Sequence, residues 1–217
     1  MSAETGLEVS LIGAYSGMLY GVSFFASLGC GGYIQRYGPL RISQVSMLFM
    51  AMGLLLSAPG SVWLIAAGAL CLGTGSALAT PCSTVILAKL SPPNVAPLIF
   101  SLKQSGVPVG GMMAGLLIPF LALTYGWRGA FVGAGILCFA FAVLLQPLRR
   151  HYDADRGGGY HISLRSVHGM LRRVLTNATY REIAITLWFS VCAQSLFGAL
   201  FVASLLPVIV YVLAQPG

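Results

Sequence analysis

The sequence is poor in charge: only 8% of its 217 residues are Asp, Glu, Lys or Arg, while 57% are hydrophobic. Soluble domains carry about 25% charged residues, because charged side chains cover much of their surface. So little charge excludes a water-soluble globule. It also excludes an intrinsically disordered chain, since disorder requires low hydrophobicity.

Long stretches of the chain have no charged residue at all. Asp, Glu, Lys and Arg are absent between Glu8 and Arg36, between Arg41 and Lys89, between Lys103 and Arg128, between Arg128 and Arg149, and after Glu182. A helix needs roughly 20 apolar residues to cross a bilayer core of about 30 Å, and in lipid only helices or closed barrels satisfy their own backbone. Barrel strands alternate apolar and polar residues, whereas residues 47–56 do not. The sequence therefore predicts an all-α, polytopic membrane protein.

We predict six transmembrane helices, separated by turn signals rich in glycine and proline. The predicted spans are residues 9–34, 42–58, 62–88, 96–123, 127–148 and 183–213, and the turn signals are Tyr37-Gly38-Pro39, Pro59-Gly60, Ser91-Pro92-Pro93-Asn94 and Tyr125-Gly126. Three parts follow: residues 1–148 with five spans, a basic loop at 149–182, and residues 183–217 with the sixth span.

The basic residues indicate the orientation. The turns after spans one, three and five, together with the adjoining Lys103, hold all but one of the 12 Lys and Arg residues. Because basic loops stay inside the cell, this side is expected to be cytoplasmic, in the plasma membrane or in the inner membrane of a Gram-negative bacterium. Both termini then lie outside, which is unusual without a preceding helix, so we expect that a first helix is missing from this chain.

The net charge of +7 is explained by these membrane-flanking loops, and so we expect no nucleic-acid partner. In the long loop, apolar residues at helical spacing between arginines over 162–176 predict a basic amphipathic helix on the inner leaflet. A simple cluster of topology-setting charges explains the same residues equally well.

Reactive groups are missing from the spans. All three histidines and both aspartates lie in the 149–182 loop, so no Ser–His or aspartate pair can form in the membrane, and we predict no enzyme, no cofactor and no metal site. His151, Asp153, Asp155 and His161 are interpreted as a solvated loop rather than a metal site. No span contains Asp or Glu, so the chain offers no carboxylate relay for proton coupling.

Small residues in the spans are interpreted as packing sites. Glycines at four-residue spacing let helices approach closely in lipid; they are Gly13, Gly17 and Gly21, then Gly106 and Gly110, Gly111 and Gly115, and Gly129 and Gly133. The five cysteines have no CxxC pair and are expected to pack. A nucleotide-binding glycine loop is rejected because Gly73-Thr74-Gly75 lies in the middle of a span.

Two stretches resemble the major facilitator superfamily of secondary transporters. Residues 31–41, GGYIQRYGPLR, are similar to the family's loop signature at Gly31, Arg36, Gly38 and Arg41, while Gln35 stands where the family usually has Asp. Residues 103–111, KQSGVPVGG, followed by Pro119 and Gly126-Trp127-Arg128, look like the fifth helix and next loop of bacterial members grouped with cyanate and related small-anion carriers. The family has twelve helices in two halves, so the resemblance implies a partial fold covering helices two to seven.

The resemblance implies secondary active transport of a small anionic or organic solute by alternating access, with the lipid bilayer and the missing helices as partners. Polar residues within spans mark a solute route or a helix contact; our candidates are Lys103, Gln104, Tyr15, Tyr20 and Gln194, and the resemblance adds Gly31, Gln35, Arg36, Gly38 and Arg41 as a gating loop. Lys103 either attracts an anion or extends to the headgroups, and Thr74, Ser76, Thr80, Ser83 and Thr84 are interpreted as helix contacts. The alternative function is an integral-membrane interaction or regulatory module without transport.

Overall fold

The computed structural model describes residues 10–149, 153, 168–169, 172 and 175–194, in which all regular structure is helical. The chain divides into two compact units, Met1–Ile162 and Ser163–Gly217. The long apolar helices belong to the first unit, and a single helix at residues 178–194 makes up most of what is described in the second.

The described part of the first unit contains four helices: α1 Ser10–Tyr37, α2 Pro39–Ser57, α3 Val62–Leu90 and α4 Ala96–Leu144. At 1.5 Å per residue, α1 to α3 are about 28 to 44 Å long, enough to cross the apolar core of a bilayer. All four helices are long and apolar enough to cross a membrane, judged by length and composition. The predicted turns at Pro59-Gly60 and Ser91-Pro92-Pro93-Asn94 fall between consecutive helices.

The 49-residue α4 contains two of the predicted spans. A straight helix of that length would measure about 74 Å, far more than one bilayer crossing requires. Gly126 interrupts it with φ 74° and ψ 171°, a conformation that glycine adopts at little cost. The interruption lies at the predicted Tyr125-Gly126 turn and divides α4 into residues 96–125 and 127–144. All five spans predicted in residues 1–148 therefore have helical counterparts.

Glycines of α3 bring that helix against both of its neighbours. A Cβ at Gly73 would lie 2.6 Å from the carbonyl oxygen of Leu19 on α1, and a Cβ at Gly68 would lie 2.7 Å from that of Gly53 on α2. A Cβ at Gly75 would lie 2.8 Å from the carbonyl oxygen of Ser46 on α2. Only glycine fits at such distances, so α3 is the central helix of the first unit.

Seven of the nine glycines that the sequence spacing singled out form no such contact. Of the other two, Gly133 has Leu121 as a close neighbour, 3.2 Å from where its Cβ would lie, and Gly129 has Tyr125. A Cβ added at Gly13, Gly17, Gly21, Gly106, Gly110, Gly111 or Gly115 meets nothing within 4 Å among the described residues. Spacing shows which glycines share one face of a helix, but it does not show which face is covered. Here the covered faces carry Gly53, Gly68, Gly73 and Gly75.

Serine and glutamine side chains join the helices by hydrogen bonds to backbone carbonyls. Ser23 Oγ on α1 donates to Gly73 O at 2.8 Å, and Ser46 Oγ on α2 donates to Gly75 O at 2.6 Å. Gln44 Nε2 on α2 donates to Ala142 O on α4 at 3.0 Å. Such bonds satisfy polar groups that would otherwise be unpaired in an apolar environment.

Apolar residues from α1, α2 and α3 form a buried cluster near the α1–α2 turn. Its members are Ile34, Ile42, Leu78 and Cys82, and Cys82 has no exposed surface. The expected packing role is thus confirmed for this cysteine.

The helix of the second unit begins at residue 178, five residues before the predicted start of the sixth span. Asn177 Oδ1 accepts a 3.1 Å hydrogen bond from the Thr179 N–H, which is the usual N-cap arrangement. The described part ends at Gln194, and so the rest of the predicted span lies outside the described residues. Most of the predicted amphipathic helix at 162–176 lies outside them as well.

Candidate functional site

The ammonium group of Lys103 is directed at α3. Lys103 lies seven residues after the start of α4, about 10 Å along the helix axis, and its Nζ donates to Thr84 Oγ1 at 2.6 Å. Nζ also lies 3.4 Å from Thr80 O, ten residues before the end of α3 and so about 15 Å inside that helix. A lysine that extends to the headgroups would direct Nζ toward the helix end, whereas here Nζ lies beside Thr80 and Thr84 of α3.

The Thr80 carbonyl is the centre of this polar group. It accepts hydrogen bonds from Thr84 Oγ1 at 2.9 Å and Ser83 Oγ at 2.9 Å, in addition to the contact with Lys103. Pro81 lies inside the helix here and has no N–H to donate, so the local backbone bonding is already weakened. Thr80 and Thr84, which the sequence predicted only as helix contacts, therefore hold the lysine side chain as well.

Lys103 has no carboxylate partner near it in the sequence. Residues 9–152 contain neither Asp nor Glu, so in these helices its charge is balanced only by hydroxyl and carbonyl dipoles. A cation in a membrane-spanning helix is costly unless it is paired. The described polar contacts of its ammonium group are those with Thr84 Oγ1 and Thr80 O.

The other candidate residues are not joined to this group by any described hydrogen bond. Tyr15 is half-buried on α1, Tyr20 is 70% exposed on the same helix, and Gln104 is exposed next to Lys103. Gln194 is exposed in the second unit. None of the four side chains hydrogen-bonds another described residue, so the structure gives no support to the interhelical bonds that were their alternative interpretation.

The predicted gating loop proves to be a single residue long, which corrects the sequence prediction. Gly31, Gln35 and Arg36 lie in α1 and Arg41 lies in α2, so only Gly38 separates the helices. Gly38 has φ 93°, which reverses the chain, and Pro39 starts the next helix at once. Residues 36–41 are named the arginine turn below.

Asp153 is a buried residue beside the arginine turn that sequence reasoning missed, and its predicted place in a solvated loop is wrong. The side chain is fully buried, and its carboxylate accepts the N–H of Leu40 at 2.9 Å and that of Arg41 at 3.1 Å. Arg149 Nε lies 3.8 Å from Oδ2. The sequence contained a signal, since the arginine turn has two cations and no acid of its own. The other residues of the supposed loop cluster, His151, Asp155 and His161, lie outside the described residues.

Comparison with known proteins identifies the class. Residues 1–215 match the family model of the Major Facilitator Superfamily. The chain belongs to this family, a family of transporters and not of enzymes, and it is a multi-pass membrane protein, as the sequence predicted.

Two similar proteins show how much of the family fold is present. The chain is 27% identical over 196 residues to a probable L-galactonate transporter of Escherichia coli K12, an alignment that covers 83% of this chain and 40% of that protein. It also resembles the crystal structure of a peptide transporter POT (E310Q mutant) in complex with alafosfalin, with a TM-score of 0.53 and 21% identity, covering 91% of this chain and 42% of that one. The chain thus spans about two fifths of the length of both proteins.

Proposed function

We propose that this chain takes part in the transport of a small organic anion across the plasma membrane by alternating access, with Lys103 as the residue that binds the anion. The observation that carries the proposal is the position of Lys103 Nζ, bonded to Thr84 inside two apolar helices that lack Asp and Glu. The similarity to a probable transporter of L-galactonate, a carboxylate, supports the same solute class.

Electrostatics explains why a lysine in this place would select an anion. In a medium of low dielectric constant the attraction between opposite charges is several times stronger than in water, and an anion would neutralise a cation that has no carboxylate partner here. Thr80 and Thr84 hold the ammonium group in one direction, which reduces the entropy lost on binding. Gln104, Tyr15, Tyr20 and Gln194 are proposed to complete the solute route.

The mechanism proposed is rocking of two helical halves around a central site. The arginine turn is proposed to lie on the cytoplasmic side, where Gly31, Gln35, Arg36, Gly38 and Arg41 contribute to gating. Because residues 9–152 lack Asp and Glu, a carboxylate relay for proton coupling does not involve the first unit's helices.

The proposal is tested by uptake into proteoliposomes that contain the purified chain, with labelled L-galactonate and neutral galactose as probes. We expect saturable uptake of the anion only. Lys103→Met should raise KM by about tenfold or more, because the lost interaction contributes to solute binding, and Lys103→Arg should recover part of the affinity. Lys89→Met removes an exposed lysine at the end of α3 and should leave uptake unchanged.

Two results would contradict the proposal. If wild type and Lys103→Met took up galactonate equally, Lys103 would not be the residue that binds the anion. If wild type took up galactose and galactonate equally, the site would not select anions. Absence of uptake by the wild-type chain in all conditions would favour the alternative of a membrane module without transport of its own.

A further inference from the structure

The N-terminus of α2 has no cap of its own. The first N–H groups of a helix lack intrahelical partners and are usually bonded by the side chain of the N-cap residue. In α2 that residue is Gly38, which has no side chain, and its φ of 93° disfavours any replacement. The N–H groups of Leu40 and Arg41 therefore need an acceptor from elsewhere in the chain.

Asp153 supplies this acceptor from 113 residues away in the sequence. Its two carboxylate oxygens each accept one N–H, Oδ1 from Leu40 and Oδ2 from Arg41. The geometry requires glycine at position 38 for a second reason, since a Cβ there would collide with the Asp153 carboxyl group. The negative charge also lies at the positive end of the helix dipole.

The carboxylate of Asp153 hydrogen-bonds to α2 and also forms an ion pair with Arg149. Arg149 is one helical turn earlier, but its Nε is 3.8 Å from Oδ2, beyond hydrogen-bonding distance, and this buried Nε has no hydrogen-bond partner among the described residues. The Asp153 backbone N–H donates to Arg149 O at 3.1 Å. The carboxylate thus joins the segment after α4 to the start of α2.

A second contact joins the same two regions. Gln44 on α2 donates to Ala142 O and, at 2.8 Å, to Gln146 Oε1. Ala142 is in the last turn of α4, where carbonyl groups lack helical partners. Gln44 of α2 therefore bonds an unsatisfied carbonyl of α4, and Asp153, which follows α4, bonds unsatisfied N–H groups of α2.

We propose that Asp153 is a positioning residue for transport. It follows α4 in the sequence, and its carboxylate fixes the conformation of the arginine turn between α1 and α2. This inference rests on the proposed transport function. Asp153 does not contact the Lys103 group, so it acts through the conformation of the turn and not through solute binding. Displacement of the segment after α4 would release the N–H groups of Leu40 and Arg41 and change the orientation of both turn arginines.

The test compares Asp153→Asn with wild type in proteoliposomes. Asparagine retains one acceptor oxygen and nearly the same shape but loses the charge. We expect the maximal rate of L-galactonate uptake to fall about fivefold or more while KM stays within about twofold, because positioning residues do not bind solute. Glu182→Gln removes one negative charge from an exposed helical residue and is the matched control.

Hydrogen exchange measured by mass spectrometry on the same samples separates this inference from the proposed function. The amides of Leu40 and Arg41 should exchange about tenfold faster in Asp153→Asn, with α3 unchanged. Gly38→Ala, which displaces the carboxyl group without removing it, should produce the same local change. Arg149→Gln should leave these amides protected.

Each result decides a different claim. Unchanged exchange at Leu40 and Arg41 in both variants, or a rise in KM with an unchanged maximal rate of uptake, would overturn the role of Asp153. If the wild-type chain shows no uptake, the proposed transport function fails, while faster local exchange would still show that Asp153 sets the conformation of the turn.

Discussion

The side-chain amide of Gln44 lies 2.8 Å from Oε1 of Gln146, and its nitrogen also donates to the carbonyl of Ala142. Gln44 is buried between α2 and the second part of α4. One glutamine thus satisfies a backbone carbonyl that the end of α4 leaves without a helical partner.

Replacing this glutamine should destabilise the first unit. Gln44→Ala leaves the Ala142 carbonyl and the Gln146 side chain without their described donor, and we expect a loss of about 1–3 kcal/mol. Gln35→Ala is the matched control because Gln35 is exposed on α1. The unfolding temperatures of both variants are measured in detergent. Equal temperatures would show that the buried amide of Gln44 does not stabilise the first unit.

Alanine at two glycine positions should have opposite effects on stability. Gly68→Ala places a methyl group against Ser57 Oγ and the carbonyl of Gly53, and overpacking of this kind costs about 1–3 kcal/mol. Gly110→Ala meets nothing within 4 Å among the described residues and should stabilise its helix by up to about 1 kcal/mol. Denaturant titration of the two variants checks the difference, and a destabilised Gly110→Ala would reveal a contact on that face.

Thr84→Val should weaken anion binding without touching the lysine itself. Valine has nearly the shape of threonine but cannot accept the 2.6 Å hydrogen bond from Lys103 Nζ, so the ammonium loses its fixed direction. We expect KM for L-galactonate to rise about fivefold, the effect of losing about 1 kcal/mol.

Thr74→Val is the control for this change. Thr74 is on the same helix, and its Oγ1 bonds to the carbonyl four residues earlier, as that of Thr84 does, but no described lysine contacts it. The prediction fails if both valine variants change KM equally.

Gly38→Ala should cost more stability than Gly126→Ala. Both glycines combine positive φ with extended ψ, 93° and 147° at Gly38 and 74° and 171° at Gly126, so alanine has a conformational cost of about 1–3 kcal/mol at either site. Only at position 38 does the new methyl group collide with Asp153, whereas at position 126 nothing described lies within 4 Å. The free energy of unfolding should therefore be lower for Gly38→Ala than for Gly126→Ala.

A double-variant cycle tests the cause of that difference. In an Asp153→Gly background the carboxyl group and the Cβ that collide with a methyl group at position 38 are both removed, so the cost of Gly38→Ala should fall toward that of Gly126→Ala. Additive effects of the two substitutions would show that the Gly38 cost comes from the backbone alone.

The helical architecture was predictable because membrane crossing imposes strong and local requirements on composition. Charge-free stretches between turn signals located α1, α2, α3 and both parts of α4, and the positive φ of Gly126 confirms the turn that divides α4. The extent of the α1–α2 loop was not predictable, since Gln35, Arg36 and Arg41 are polar enough for a loop and yet continue the helices through a one-residue turn.

The candidate site was predictable only in part, for a similar reason. A lone lysine in an apolar span is visible in the sequence, but its direction depends on the neighbouring helix. Only the structure pairs Lys103 with Thr84 and Thr80 and so distinguishes an inward ammonium from one that extends to the headgroups.

The sequence by itself determined that this protein is a membrane-spanning helical chain with basic turns, because hydrophobic length and charge placement are properties of consecutive residues. Tertiary structure alone decided which glycines bring helices together, and that Asp153 caps a helix 113 residues earlier. Such contacts depend on the faces that packing covers and on backbone groups left unbonded at helix ends, and neither is encoded in any short stretch of residues.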